Sequence, residues 1–397
     1  MAIQWIDDED FEVDGKVVLC RVDFNVPMQD GVITDDERIR RALPTLELLL
    51  EKGARLLVCS HLGRPKGKYK KEFSLEPVAV RLQELLEKEL IFSDDCVGDG
   101  RRHLIRSLEA GQVILLENTR FHGGEEKNDK GFGEQLAEDV DVYVNDAFGT
   151  AHRAHASTEG ITRHVEQSAG GLLIRSELEH LGGLLRDPKR PFVAILGGAK
   201  VSDKLQVLSQ LMNKVDKMII GGAMAYTFLK AQELPVGKSR VEDDRLKIAA
   251  SILEQAEKKG VEFLLPVDHV VAEDFAEDAD ARTLSTENFS DDVMGLDIGP
   301  KTLSSYRHAL AQAKTIFWNG PMGVFEWDAF AEGTLGVMDA VCSSKAFTVV
   351  GGGDSVAAVN KSGRAGDIDH VSTGGGASLE LLEGKKLPGL VALGMKS

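Results

Sequence analysis

Cysteine is scarce in this 397-residue chain. Cys20, Cys59, Cys96 and Cys342 lie far apart with no Cys-x-x-Cys pair, which excludes a disulfide framework or a thiolate zinc site as the basis of the fold. No long apolar run occurs, so a bundle of membrane helices is excluded as well. The stretch Met1 to Gly15 is acidic and has no basic segment followed by an apolar one; no secretory leader is therefore expected, and a cytoplasmic protein is. Positive charge is also short. The 47 Lys and Arg stand against 64 Asp and Glu, a formal net charge of −17, which disfavours nucleic acid and anionic membrane as partners. Aromatic content is only 6%, but 43% hydrophobic with 28% charged residues is globular composition. A chain of this length is expected to form two to three domains, at ~100–200 residues each.

What is present is unevenly distributed. Of the 21 arginines, 15 precede Pro188, as do 7 of the 10 histidines, although acidic residues still outnumber basic ones there. Glycine leans the other way, with 18 before that point and 23 after it.

Short aliphatic or β-branched runs followed by helical patterns recur along the chain, the mark of βαβ units. Val17–Val22, Arg55–Ser60, Gln112–Leu116 and Asp141–Asn145 read as strands of a first sheet. Phe192–Leu196, Lys217–Ile220, Glu262–Pro266, Thr315–Trp318, Thr348–Val350 and His370–Ser372 read as strands of a second. Helices are expected at Pro44–Lys52, at Leu75–Lys88 behind the cap Ser74, at Val201–Met212, Arg245–Lys259, Phe330–Val341 and Ser378–Glu383. Arg175–Leu185 reads as a helix leading to Pro188 and Pro191. The expected fold is α/β: two Rossmann-like, three-layer domains with mostly parallel sheets, joined by a hinge helix. The expected boundaries are 1–172, 173–190 for the helix and linker, and 191–379, with the tail 380–397 packing back on the first domain.

Ligands of open parallel sheets bind outside the carboxyl ends of the strands. In the first half those exits read Arg21-Val-Asp-Phe-Asn25, His61-Leu-Gly-Arg-Pro65, Glu117-Asn-Thr-Arg-Phe-His122 and Asp146 through His155. Each supplies an Arg and three add a His. Single basic residues on loops are commonly solvated charges, but four of four at one sheet edge imply a small polyanion, which a planar guanidinium grips two oxygens at a time. In the second half the exits are glycine clusters: Gly197-Gly-Ala-Lys200, Gly221-Gly222, Asn319-Gly-Pro321, Gly351-Gly-Gly-Asp-Ser355 and Thr373-Gly-Gly-Gly-Ala377. Tight turns explain one such pair. Several together, leading into helices, favour nucleotide phosphates held by free backbone N–H groups. No established nucleotide fingerprint is present. Gly237-Lys238-Ser239 has the tail of a P-loop, but Gln232 stands where its first glycine belongs, and no G-x-G-x-x-G or protein-kinase loop occurs. On these features alone, a nicotinamide-dependent dehydrogenase and a non-catalytic nucleotide-responsive scaffold stay open as alternatives.

Taken together, Arg21-Val-Asp-Phe-Asn-Val-Pro27, Ser60-His-Leu-Gly-Arg-Pro65, Val144 through His155, Gly197-Gly-Ala-Lys200, Trp318-Asn-Gly-Pro321, Gly351-Gly-Gly-Asp354 and Ser372-Thr-Gly-Gly-Gly-Ala377 resemble the phosphoglycerate kinase family, in the family's order from near residue 20 to near residue 390. The resemblance implies reversible phosphoryl transfer between 1,3-bisphosphoglycerate and MgADP, giving 3-phosphoglycerate and MgATP, by a monomer whose domains close about a hinge. It implies that the acid is held by Asp23, Phe24, Asn25, Arg38, His61, Leu62, Gly63, Arg64, Arg120 and Arg153. Arg38, Lys200, Gly375 and Gly376 are implied to act on the phosphoryl group in transit. For the nucleotide it implies Gly197, Gly198, Lys200, Lys204, Gly221, Gly222, Gly295, Asn319, Gly320, Pro321, Glu326, Gly352, Gly353, Asp354 and Ser355, with Asp354 as the protein ligand to Mg²⁺. The spacing of Lys200 and Lys204 is expected to put both ammonium groups on one helix face. His152 and His155 read as substrate-loop structure rather than a metal pair. Ser355 and Thr119 depart from the residues common in the family and are expected to change little.

Overall fold

The two strings of aliphatic runs form two separate six-stranded sheets, every strand parallel to its neighbours. The computed structural model describes residues 3–395. One unit takes the chain up to Glu179 and again from Lys386; the other is His180–Lys385. Relative to the expected boundaries, the division falls inside the helix Leu172–Arg186, and the returning segment starts six residues later than 380. Residues 1, 2, 396 and 397 of the expected ranges lie outside the described residues.

In the first unit the spatial order is Leu90–Ser93, Val113–Leu116, Arg55–Cys59, Val17–Arg21, Val142–Asn145, Gln167–Gly170. The central strand Val17–Arg21 is buried at all five positions, which is why it reads as a continuous apolar run rather than an alternation. Its residues divide between two cores. Val18 and Cys20 pack with Leu46 and Leu82 on one face; Val17 and Leu19 pack with Ile105, Leu136 and, from the returning tail, Leu393 on the other. The tail is tied in by the Gly389 N–H, which donates to the Ala151 carbonyl at 2.9 Å.

The first helix runs Glu37–Glu51, not Pro44–Lys52. Ile39, Ala42, Leu46 and Leu49 form a buried stripe at helical spacing. That stripe carries the helix through Pro44, which is exposed, so the carbonyl it cannot bond is left to water. The edge strands Leu90–Ser93 and Gln167–Gly170 escape sequence reading because they are short and poor in β-branched residues.

In the second unit the order is Glu262–Leu264, Lys217–Ile220, Phe192–Leu196, Thr315–Asn319, Phe347–Gly351, His370–Val371. A small antiparallel sheet, Arg282–Ser285, Asp268–Ala272, Met294–Ile298, is added to it; the sequence reading did not anticipate it. The expected helix Val201–Met212 shrinks to Leu205–Leu211. No helix among the described residues is long and apolar enough to cross a membrane.

Asp146 shows how the first sheet hands the chain to the helix Leu172–Arg186. Its carboxylate accepts from the Ile174 N–H at 3.1 Å, and Thr45 Oγ1 accepts from Leu172 N–H at 2.9 Å. Burial pushes the Asp146 carboxyl up to about 7, against its hydrogen bonds to Thr45 and the helix N–H groups. A carboxyl raised in the folded state holds its proton more tightly there than in the unfolded chain. It therefore takes stability away as pH climbs from the unfolded value of 3.8 toward 7. Asp146→Asn has no such titration. Urea unfolding at pH 5 and pH 8 is expected to show the wild type losing ground to the variant as pH rises, at up to about 1.4 kcal/mol per pH unit.

Candidate active site

The strand order changes direction between Val17–Arg21 and Val142–Asn145 in the first sheet and between Phe192–Leu196 and Thr315–Asn319 in the second. Loops leaving neighbouring strands part in opposite directions at such a reversal and open a crevice over the strand ends. The expected site residues lie on loops along this edge of each sheet, some of them away from the reversal: Arg120 follows Val113–Leu116, and Gly222 follows Lys217–Ile220.

In the first unit the exits converge on charge. Arg38, in the first turn of Glu37–Glu51, donates from Nη1 to Asp23 Oδ2 at 2.6 Å. Burial would raise Asp23, but Arg38 leads the cations that hold its carboxyl down at about 2. Asn25 Oδ1 accepts from the Gly63 N–H at 2.8 Å, and the Gly63 carbonyl accepts from Arg120 Nη1 at 2.8 Å. Arg120 is 3% exposed, and its Nη2 is buried with no partner in the chain. Burial, together with Arg153 and Arg21, lowers this guanidinium to about 10 although Glu126 opposes. Arg153 Nε donates to His152 Nε2 at 3.2 Å. Burial first, then Arg120, Arg21 and Arg153, pushes His155 down to about 3, so it is neutral. This is a cationic pocket with an unsatisfied guanidinium edge, the condition in which an anion with several oxygens binds.

The structure sorts the expected acid-site residues. Asp23, Asn25, Arg38, His61, Gly63, Arg120 and Arg153 are brought together; Arg64 is exposed. Phe24 and Leu62 are core residues instead. The Phe24 N–H is spent on Ser60 Oγ and the Leu62 carbonyl on Asn118 Nδ2, so both positions are scaffold. Arg21, Glu125 and Ser157 are not found by sequence reading, although Arg21 opens the first motif; Arg21 meets Ser157 136 residues away, and Ser157 meets Glu125 32 residues away.

The second unit holds a cavity of about 470 Å³, of small-ligand size. Gly198, Gly222, Gly295, Pro321, Glu326 and Asp354 of the expected set line it, joined by Tyr226, Asp297 and Phe275, which sequence reading did not find. Close backbone approach explains the glycines. Gly222 has φ +67°, and a Cβ there would lie 2.6 Å from the backbone N and O of Gly198. Asp297 accepts from the N–H groups of Gly333 at 2.6 Å and Ile298 at 2.9 Å; burial nevertheless pushes its carboxyl up to about 7.

Other expected nucleotide residues stand behind that wall. Gly197 abuts the carbonyls of Gly320 and Pro321, and Gly221 abuts Met322. Ser355 is wholly buried, its Oγ accepting from the Gly320 N–H at 2.5 Å, and Asn319 Nδ2 donates to the Gly351 carbonyl at 2.9 Å. These four shape the turn rather than face the cavity. Lys204 Nζ bonds Asn319 Oδ1; burial lowers its ammonium while Asp203 and Asp354 oppose. Lys204 is the cap of a helix that starts at Leu205, and Lys200 precedes that helix as an exposed residue. The expected common helix face is therefore not formed, because the Gly-Gly-Ala-Lys segment is a turn. Gly352 caps Gly353–Ser362, a helix whose first turn carries Asp354, and Gly375, at φ +50°, caps Gly376–Leu382. Lys200, Gly352, Gly353, Gly375 and Gly376 do not line the cavity.

One mixed cluster, Asp95, Cys96 and His122, could hold a metal among the described residues. It is no Mg²⁺ site, since Mg²⁺ takes oxygen ligands. Here the Cys96 thiol, kept protonated by burial, donates to the Glu117 carbonyl at 2.7 Å, and His122 Nε2 lies 2.7 Å from Asp95 Oδ1.

Two doubly wound units, one with a cationic crevice and one with a glycine-walled pocket and an acidic residue, offer two separate sites suited to phosphorylated ligands. Comparison with known proteins makes the assignment specific. The family model described as phosphoglycerate kinase matches residues 8–385. The chain is 56% identical over 395 residues to a phosphoglycerate kinase of Anaeromyxobacter dehalogenans, covering 99% of each. It is 53% identical over 390 residues to one of Clostridium tetani, covering 98% of this chain and 97% of the relative. Among solved structures, phosphoglycerate kinase from Coxiella burnetii superposes with TM-score 0.87 at 45% identity, and that from Pyrococcus horikoshii with 0.84 at 35%, each covering 97% of both chains. The chain belongs to the phosphoglycerate kinase family and is an enzyme of glycolysis.

Gly222→Ala tests the close approach in the second pocket. The methyl group meets backbone in a left-handed conformation, so a stability loss above about 1 kcal/mol is expected. ADP affinity, measured by isothermal titration, should fall at least about tenfold, a change worth ~1.4 kcal/mol.

Proposed function

We propose that the cationic crevice of the first unit holds 3-phosphoglycerate or 1,3-bisphosphoglycerate and that the glycine-walled pocket of the second holds the nucleotide. The observation that carries this reading is Arg120: a nearly fully buried guanidinium beside Arg21 and Arg153 keeps an unpartnered Nη2 for an anion, although Glu126 lies 3.3 Å from its Nε. Arg120, Arg153 and Arg64 take the non-transferred phosphate, while Asp23, Asn25 and His61 orient the carboxylate and hydroxyl end.

In the direction of ATP use, a carboxylate oxygen of 3-phosphoglycerate attacks the γ-phosphorus. The new P–O bond forms as the bond to the β-phosphate oxygen of ADP breaks. The carboxylate is already ionised at neutral pH, so no general base is needed; the crevice accordingly has Asp23 held ionised and His155 held neutral. The protein's contribution is alignment and neutralisation of charge on the moving group. Arg38 supplies this from the acid side. Lys200 and the N–H groups of Gly375 and Gly376 supply it from the nucleotide side.

Mg²⁺ commonly takes one or two carboxylates and otherwise waters and phosphate oxygens. Asp354 fits that requirement: it is exposed, on the cavity wall, at the start of a helix. Bound there with the nucleotide, the ion would neutralise β- and γ-phosphate oxygens. Glu326, exposed on the same wall, bonds the ribose hydroxyls. The enzyme is further proposed to act as a cytoplasmic monomer without nucleic-acid or membrane partners. Its units are proposed to close when both ligands are bound, since in-line transfer requires the reacting oxygens to meet.

A coupled assay supplying ATP and 3-phosphoglycerate should show turnover, and none with NAD in their place. Arg38→Ala is expected to lower kcat by about 10²-fold or more, with nucleotide Kd unchanged. Near-full turnover in that variant would remove Arg38 from the transfer step.

A further inference from the structure

Arg120 and Arg21 are both buried, but only Arg120 leaves a nitrogen open. Arg21, at the end of the central strand and 0% exposed, has a protein partner at each nitrogen. Its Nε donates to Ser157 Oγ at 2.9 Å, its Nη1 to the Val22 carbonyl, and its Nη2 lies 3.1 Å from His61 Nδ1. The far side of this arrangement is equally determined. The Ser157 hydroxyl has one proton, and it goes to Glu125 Oε1 at 2.5 Å, while the Ser157 N–H goes to Glu125 Oε2 at 3.0 Å. Ser157 Oγ therefore faces Arg21 as an acceptor, and the buried Glu125 carboxylate anchors the guanidinium through it.

A guanidinium has donors only. Its contact with His61 Nδ1 is a hydrogen bond only if Nδ1 carries a lone pair, which leaves the proton of the neutral ring on Nε2. We propose that Arg21 is a positioning residue that fixes His61 as the neutral Nε2–H tautomer, so that His61 offers the acid a single N–H donor. This rests on the reading of His61 as a ligand of the acid.

The surroundings agree. Asp23, whose Oδ1 is 3.8 Å from His61 Nδ1, favours the charged ring. Burial opposes it most strongly, joined by Arg21, Arg120 and Arg38, so the ring's pKa lies well below the ordinary value of 6.5. A neutral His61 also leaves Asp23 to pair with Arg38. The Arg21 side chain thus acts on the acid through an imidazole, whereas Arg120 meets it directly.

The full-length protein with ¹⁵N-labelled histidine gives a direct test by long-range ¹H–¹⁵N correlation from pH 5 to 8. His61 is assigned by the signal lost in His61→Gln. The expected result is a neutral ring protonated on Nε2 throughout the range. A proton on Nδ1, or a ring that becomes charged between pH 8 and pH 5, overturns the proposal, and this measurement does not depend on Arg21→Met folding. In Arg21→Met a second tautomer or a titrating ring should appear, with KM for 3-phosphoglycerate raised about tenfold and KM for ATP unchanged. An unaltered His61 signal in that folded variant would count against the lock. Should the Nε2–H tautomer be found while His61→Gln leaves KM for the acid unchanged, the tautomer assignment stands and the reading of His61 as a ligand falls.

Discussion

Strands that pair in parallel cannot be joined by a tight turn. Each must be returned by a crossover, so every strand of both sheets leaves at the same edge of its sheet. Chemistry is then confined to that edge, and a reversal of strand order opens a crevice along it. The central strands Val17–Arg21 and Phe192–Leu196 are buried at every position because helices cover both faces. Side-chain function begins only where those strands end. Arg21 is the last residue of the first, and Gly197 follows the second.

The same edge is built in two different ways, which the proposed function assigns to two kinds of anion. In the first unit it is built from side chains: the buried guanidinium groups of Arg21 and Arg120 are held by carbonyls and Ser157, the partly exposed one of Arg38 by Asp23, and Arg120 keeps an open nitrogen. In the second unit it is built from backbone. Gly222 against Gly198 and Gly320 against Gly197 approach more closely than any side chain allows, and Ser355 and Asn319 hold the turn from behind. Guanidinium forks suit an acid carrying two separated anionic groups; exposed N–H groups at helix starts suit a chain of phosphates. The uneven distribution of arginine and glycine is the trace of this division.

A protein of net charge −17 can still bind a polyanion because net charge is not local potential. At physiological salt the Debye length is about 8 Å, so distant surface carboxylates are screened while converging arginines at the crevice are not. The cost of burying those cations is visible in Arg120, lowered to about 10, and in His155, pushed down to about 3. Glu125, wholly buried and bonded to Ser157, supplies the compensating charge within the fold.

Much of this was legible in the residues alone. Apolar runs reported the buried strands, and the strand exits reported where Asp23, Arg120, Gly222 and Asp354 would stand, because parallel topology sends all exits to one edge. The motifs also placed the chain in its family, and that resemblance alone singled out Arg38, whose position on a helix suggests no role. What local pattern could not show was direction and depth. Phe24, Leu62, Gly197 and Ser355 lie inside functional motifs yet point into the scaffold, and Lys200 and Lys204 do not share a helix because their segment is a turn. The link from Arg21 to Ser157 joins residues 136 apart in the chain. Sequence periodicity records which face of an element is apolar; which polar group meets which across more than a hundred residues is decided only when the sheet and its crossovers close.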